Sequence, residues 1–314
     1  MPNPLISKKT VVLAKEESSY GVDPTLAQAD NAIEAYDFTA PVITADMKDR
    51  NPGNSDLSRF AQLRGKTSVD FALMTLLRGS GAAGTAPRRS PLYKACGFGE
   101  VVVSATSVTY APVSDNFVSC AVEAYLDGIM HQILGCVGNY QLDLTAGEVG
   151  KETFNMKGKY AIPTDTAIVD PTFDTPAPEV IKNITMTVGG YSAIIEKLTL
   201  NMNNAVSERT DFNDAEGIHG FAITDRNPEG SMIVEMVLRA TSNADFLAYF
   251  NDGTQKAISI VVGGTAGNIC TISIPKARLK APVIGDREGV RTFEIPFQLG
   301  RDSSGDDEIE IAFT

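Results

Sequence analysis

The residues that could do chemistry begin with Gly79-Ser80-Gly81-Ala82-Ala83-Gly84, which has the GxGxxG spacing of a dinucleotide-binding turn. That chemistry needs a helix opening at the last glycine, so that its N-terminal amides face a pyrophosphate. Here Thr85-Ala86-Pro87-Arg88-Arg89-Ser90-Pro91 follows. This segment does not open such a helix, and the glycines read as a flexible loop. Asp211, Asn213, Asp214 and Glu216 ahead of Gly217, and the run from Asp302 to Glu308, are acidic enough to suggest calcium. Neither has the D-x-D-x-D-G spacing with a ligating Glu at the twelfth position, so both read as solvated loops, with weak structural Ca²⁺ as the alternative. The cysteines Cys96, Cys120, Cys136 and Cys270 form no CxxC pair, and His131 and His219 add no metal-ligand spacing. Buried free thiols in a reducing compartment are the expectation. There is no GxSxG, no HExxH and no Cys/His pair with an orienting partner. One catalytic class stays open, a carboxylate pair for glycoside hydrolysis drawn from the 39 acids. The chain is expected to be no enzyme and to need no cofactor and no metal.

The elements that would position these residues are strands. Alternation recurs, as in Leu198-Leu200-Met202 against Thr199-Asn201-Asn203, or Ile309-Ile311-Phe313 against Glu308-Glu310. Asp127-Gly128 and Gly189-Gly190 each separate two such runs and predict two-residue hairpins, hence largely antiparallel sheets. Only Pro91 to Cys96 and Asn243 to Asn251 read as helices, the second capped by Ser242. A chain of 314 residues with 43% hydrophobic side chains holds one large core or two ordinary ones. Four of the 16 prolines fall at 163, 171, 176 and 178. We expect residues 1–165 to form one β domain, 166–178 a linker and 179–314 a second β domain. Residues 1–165 carry 15 basic and 18 acidic side chains and 166–314 carry 12 and 21, giving −3 and −9 within a net charge of −12. That balance disfavours tight nucleic-acid binding, which rests on neutralised phosphates. No stretch approaches the ~20 apolar residues that span a bilayer, so a soluble, cytosolic chain with no membrane partner is expected. Both halves share one order: strand, polar loop (Thr44–Gly65, then Asn203–His219), strand (Lys66–Arg78, then Ser231–Arg239), short helix, further strands. An internal duplication is the reading.

Three groups of residues carry a resemblance. Val12 to Pro24 runs from a short strand through an acidic stretch to Tyr20-Gly21-Val22-Asp23-Pro24. Gly79 through Pro87 then leads to a short helix ending in Cys96-Gly97-Phe98. Leu126-Asp127-Gly128, Leu134 to Gly138, Ala146-Gly147-Glu148 and Phe154 to Gly158 follow. In this order they resemble the major tail proteins of siphophages, including transposable, Mu-like phages. The likeness covers Thr10 to Tyr160 and is only architectural beyond.

The resemblance implies an all-β fold: two tandem tail-tube-type β-sandwich or partial-barrel modules, each with one short helix, assembling into a closed β-barrel ring. It implies a structural, non-catalytic subunit of the virion, assembled in the bacterial host cytoplasm. Stacked rings would form the conduit for DNA ejection, passing DNA without gripping it. The implied partners are further copies in a trimeric ring of pseudo-sixfold symmetry, with a hexamer as the alternative, together with tape measure, tail terminator and distal tail proteins. The competing readings are a contractile-tail, baseplate or secretion tube component and a carbohydrate-binding or hydrolytic β-sandwich. Two contact sets are expected. The loop bearing Asp46, Lys48, Asp49, Arg50, Asn54, Asp56 and Arg59 would touch the next ring, and Val11, Val12, Leu13 and Tyr20 would form an arm on a neighbouring subunit.

Overall fold

Alternating burial along many strands, as at Ser107–Pro112 and Cys270–Leu279, shows why the chain folds as sheets: in β-strands one face can enter a core while the other stays wet. The computed structural model describes residues 4–182, 184–239, 245–303 and 305–314. In the first half these are β1 (Thr10–Glu16), α1 (Gln28–Asn31), β2 (Ala32–Ile33), β3 (Asp37–Lys48), β4 (Leu63–Leu76), α2 (Ser90–Ala95), β5 (Phe98–Val103) and β6 (Ser107–Pro112). β7 (Cys120–Leu126), β8 (Ile129–Thr145), β9 (Lys151–Lys159) and β10 (Thr164–Asp165) complete that half. The second half runs β11 (Thr185–Val188), β12 (Ile195–Asn201), β13 (Ala205–Thr210), β14 (Ile218–Asp225), β15 (Glu229–Glu235) and α3 (Phe246–Asp252). It ends with β16 (Gln255–Val262), β17 (Cys270–Leu279), β18 (Val283–Arg287), β19 (Val290–Leu299) and β20 (Glu310–Phe313).

Every pairing is antiparallel. In the first half the neighbours run β3-β4-β9-β8-β7-β1. In the second they run β12-β15-β19, then β17 and β18 on the far side of β19, then β16 on β17 and β11 on β16. In the first half the long β8 links β9 to β7; in the second, β17 links β19 to β16 while β18 continues along the same edge of β19. The expected Asp127-Gly128 hairpin joins β7 to β8, with both turn residues at positive φ.

The two halves share one sheet. β8 pairs on its second edge with β12, and β20 at the C-terminus lies between β17 of the second half and β6 of the first. One hydrophobic cluster accordingly runs from Val12 and Leu73 through Tyr140 to Ile295 and Phe313. The chain therefore folds round a continuous core instead of two separate ones. Residues 166–179 contain no strand or helix. The GxGxxG segment serves this union. Gly79 N donates to Asn268 Oδ1 (2.8 Å) and Gly81 N to Gly267 O (3.0 Å). A Cβ on Gly79 would sit 1.9 Å from Gly267 O, so only glycine lets the two backbones meet.

Several sequence expectations are corrected. Gly189-Gly190 closes only a single bridge, Val188 to Tyr191, and β11 and β12 take different partners, because β12 is captured by β8 and β15. The loop expected at 44–65 shrinks to 49–62, since β3 and β4 extend into it. The loop expected at 203–219 holds β13 and the start of β14. Asp245 caps α3 by accepting from Ala248 N (2.9 Å); Ser242 lies outside the described residues.

At the centre sits a polar knot. Arg89 and Glu152 are buried and 2.7 Å apart, Tyr140 Oη donates to the same carboxylate at 2.9 Å, Tyr93 Oη also donates to it, and Arg89 Nη2 donates to Arg78 O (2.6 Å). The guanidinium also lies 5.1 Å from the centre of the Phe313 ring, so the knot touches the C-terminal strand. Removing one member strands a buried charge. We predict that Arg89→Met lowers stability by about 3–5 kcal/mol, and that Arg89→Met with Glu152→Leu loses less, as read from urea unfolding midpoints.

Candidate assembly site

An antiparallel sheet leaves backbone donors and acceptors unpaired along its two outer strands, and these edges invite another strand. One continuous run is β3-β4-β9-β8-β12-β15-β19-β18, eight strands in one sheet. β3 and β18 are its edges. Both carry exposed apolar side chains: Val42, Ile43 and Met47 on β3, Val283 and Ile284 on β18. A third free edge, β5, exposes Val101, Val102 and Val103.

Inside the run, the junction of the two halves is well determined. Gln141–Thr145 of β8 pair with Lys197–Asn201 of β12, with Leu144 opposite Leu198 and Leu142 opposite Leu200 on the core side. On the other face Lys197 meets Asp143 at 2.8 Å, and Asn139 Nδ2 donates to Asn201 Oδ1 at 2.7 Å. Asn204 closes the end of the junction by donating to Cys96 O (2.7 Å) and Gly138 O (3.0 Å).

The β13–β14 hairpin, which leaves the sheet between β12 and β15, folds back over the outer face of the first half. Ile218 and Phe221 pack on Val137. Its acids meet cations: Glu216 with Arg64 (2.9 Å), Asp214 with Lys159 (2.5 Å) and Glu208 with Lys66. The Asp211-to-Glu216 cluster is thereby largely committed to cations of its own chain. The second acidic cluster is committed in the same way, since Asp306 and Glu308 hold Arg226. No group of three or more potential metal ligands occurs among the described residues. His219 stacks on Tyr20 with ring centres 6.3 Å apart, and His131 lines a 340 Å³ apolar pocket with Ile6, Phe38 and Ile129.

The residues expected to form contacts fall as follows. Asp49, Arg50, Asn54, Asp56 and Arg59 lie in the exposed 49–62 loop, where Leu57 is 102% exposed. Asp46 and Lys48 lie instead at the end of β3 and pair with each other at 2.5 Å. The N-terminal arm is corrected. Val11, Val12 and Leu13 belong to β1, a strand fully paired with β7 of the same chain, and Val12 and Leu13 are 1% exposed. Three consecutive apolar residues signalled burial, and the chain itself provides it. Tyr20 is also engaged internally: its hydroxyl donates to Gly135 O (3.0 Å) in the β8 bulge and accepts from Phe221 N (2.7 Å) of β14. The buried Glu17 carboxylate accepts from Gly135 N, Gly21 N and Ser119 Oγ. The Tyr-Gly-Val-Asp-Pro segment is thus a clasp between the halves. Sequence reasoning missed β18 as an edge, because a five-residue strand between Pro282 and Gly289 carries almost no periodic signal.

A family model described as phage tail tube protein matches residues 7–299. The chain belongs to this family. The match spans both halves, including the part beyond Tyr160 for which sequence gave only an architectural likeness. No curated protein sequence matches the chain. Membership makes this a structural tail tube subunit, in a family whose members assemble with copies of themselves into a tube. No helix among the described residues is long and apolar enough to cross a membrane.

Burial, the main cause, raises the Tyr20 phenol from 10.0 to about 12, against the opposing pull of the Phe221 N–H. The folded form therefore holds its proton where the unfolded chain releases it. The clasp's contribution is fully present below pH 10 and is lost as pH rises towards 12. We predict that Tyr20→Phe removes about one proton from the pH dependence of the unfolding midpoint in that window.

Proposed function

We propose that the chain builds the tail tube of a siphophage, of the Mu-like kind, with three copies closing into a ring of pseudo-sixfold symmetry. Rings stack into the conduit through which DNA is ejected. The observation that carries this reading is the shared strand order of the two halves. β3-β4-β9-β8-β7-β1 corresponds to β12-β15-β19-(β17, β18)-β16-β11, and the helix follows β4 in one and β15 in the other. Fusion of two copies of one module, residues 1–165 and 179–314 joined by 166–178, accounts for that match. A closed sheet is indifferent to which chain supplies a strand. The alternative, a hexamer whose second half points outward, fits less well, since β12, β15, β19 and β18 prolong the very sheet that β8 ends.

Acidity supports passage of DNA, because a net charge of −12 offers no surplus of cations for phosphates to grip. The virion is the site of action, with assembly in the host cytoplasm. Tape measure, tail terminator and distal tail proteins are the partners at the lumen and the tube ends.

The loop of residues 49–62 is assigned to contact between rings, with Asp49, Arg50, Asn54, Asp56 and Arg59 at its surface and Asp46 and Lys48 at its base. It has no core of its own: Arg50 rests on Phe60 with 5.4 Å to the ring centre, and Gln62 binds Asp49 at 2.7 Å. A fourteen-residue excursion with so few internal contacts is longer than a hairpin turn requires. Deleting Asp49 to Asp56 is predicted to leave a folded subunit, with unchanged circular dichroism and melting, that makes no stacked tubes in negative-stain micrographs. Normal tubes from the deletion would remove the loop from this role.

A further inference from the structure

We infer that one buried water molecule is a fixed part of this subunit, bound between Thr75 of β4 and Glu152 of β9 beside the Arg89–Glu152 knot. The inference does not depend on the tube reading and concerns the free and the assembled chain alike.

Three observations carry it. First, two oxygens that face each other lack hydrogen bonds. Among the described residues, the buried side-chain polar atoms without such a partner are Thr75 Oγ1, Glu152 Oε2 and Glu216 Oε2. Thr75 and Glu152 stand directly opposite each other where β4 pairs with β9. Side chains so placed have Cβ atoms about 4.5–5.5 Å apart, which lets one water reach both. The neighbours explain why Oε2 is left over. Tyr93 and Tyr140 both donate to Oε1, and Arg89 Nε, though 2.7 Å from Oε2, donates its hydrogen to Tyr93 Oη at 3.2 Å. Thr75 is 3% exposed and Glu152 0%, so bulk solvent serves neither oxygen. An internal water is the usual means by which such buried groups are satisfied.

Second, the space has the right size. Thr75 lines a cavity of 10 Å³ between the end of β4, the arginines ahead of α2 and Asp174. That is room for one water and for nothing larger.

Third, the charges around the cavity select a neutral ligand. Arg78, Arg88 and Arg89 line it, yet each is matched by a carboxylate: Arg78 by Glu34 at 2.5 Å, Arg88 by Asp174 at 3.3 Å and Arg89 by Glu152. No surplus positive charge remains to hold an anion, and three guanidinium groups repel a cation. A halide would also bring no hydrogen to Glu152 Oε2. Water donates to that oxygen and accepts from the Thr75 hydroxyl, with a second lone pair for a guanidinium N–H. The site adjoins the segment that connects the halves, because Arg88 N donates to Asp174 Oδ2 and Arg78 Nη1 to Pro176 O.

The sign of one substitution tests the site. Thr75→Val keeps the side-chain shape and removes the hydroxyl. In a dry site that change relieves an unpaired polar group, and the urea unfolding midpoint stays the same or rises. With the water bound, Val takes away one of its anchors, and the midpoint is expected to fall by about 0.3–0.5 M. A map of the wild-type chain that resolves ordered waters is expected to show one peak within hydrogen-bonding distance of Thr75 Oγ1 and Glu152 Oε2, and this measurement stands even where the variant fails to fold. An unchanged or raised midpoint, or a wild-type map without that peak, overturns the inference. Crystals grown in bromide identify the species: an anomalous peak at the site overturns the water in favour of a halide.

Discussion

The unpaired backbone along β3 and β18 is the constraint on which the rest of this structure depends. A buried or half-buried peptide group must find a partner, and a long flat edge that finds none is a hazard in a free chain. The chain tempers the hazard without abolishing it. Pro41 and the register break beside it interrupt β3, and β18 is kept to five residues between a proline and a turn. These features limit uncontrolled strand addition yet leave a short ladder open at each end. An edge managed in this way suits a subunit that is meant to pair once, in one register, with one kind of neighbour.

Rigidity between the halves is what makes such edges useful. If residues 1–165 and 179–314 moved independently, β3 and β18 would not be held at a fixed angle and closure of a ring would carry a large entropy cost. The halves are tied at the β8–β12 junction, by the approach of Gly79 to Gly267, by the Tyr20 clasp and by β20 lying across both. The Arg89–Glu152 knot reaches two of these ties, β20 through the Phe313 ring and the residue before Gly79 through the hydrogen bond to Arg78 O. Such a buried pair adds little net stability, but it penalises any packing that leaves either charge alone. The GxGxxG spacing, which would serve a cofactor in another context, here serves the passage of one backbone against another.

Much of this was legible in the sequence, and the failures have physical causes. Strands with strict alternation, such as β12 and β20, and the Asp127-Gly128 turn depend on local rules and were readable at once. Gly189-Gly190 obeys the same local rule but was overridden, because β12 gains more from β8 and β15 than from β11. Val11 to Leu13 was misread because an apolar triplet announces burial without saying in which chain. The β13–β14 hairpin was hidden because its strands are polar on the exposed side and are held by ion pairs to residues far off in sequence. Of the candidate site, the loop was visible from composition. The edges were not, since an edge is defined by the absence of a neighbour and exists only once the sheet order is known.

The central claim is that both halves supply strands to one wall, so that three chains of eight strands complete each ring. A cryo-EM map of the assembled tube tests it most directly. The account predicts three chains per ring, with β12, β15, β19 and β18 in the wall beside β3, β4, β9 and β8. Six chains per ring, with the residues after Pro178 outside the wall, would contradict it.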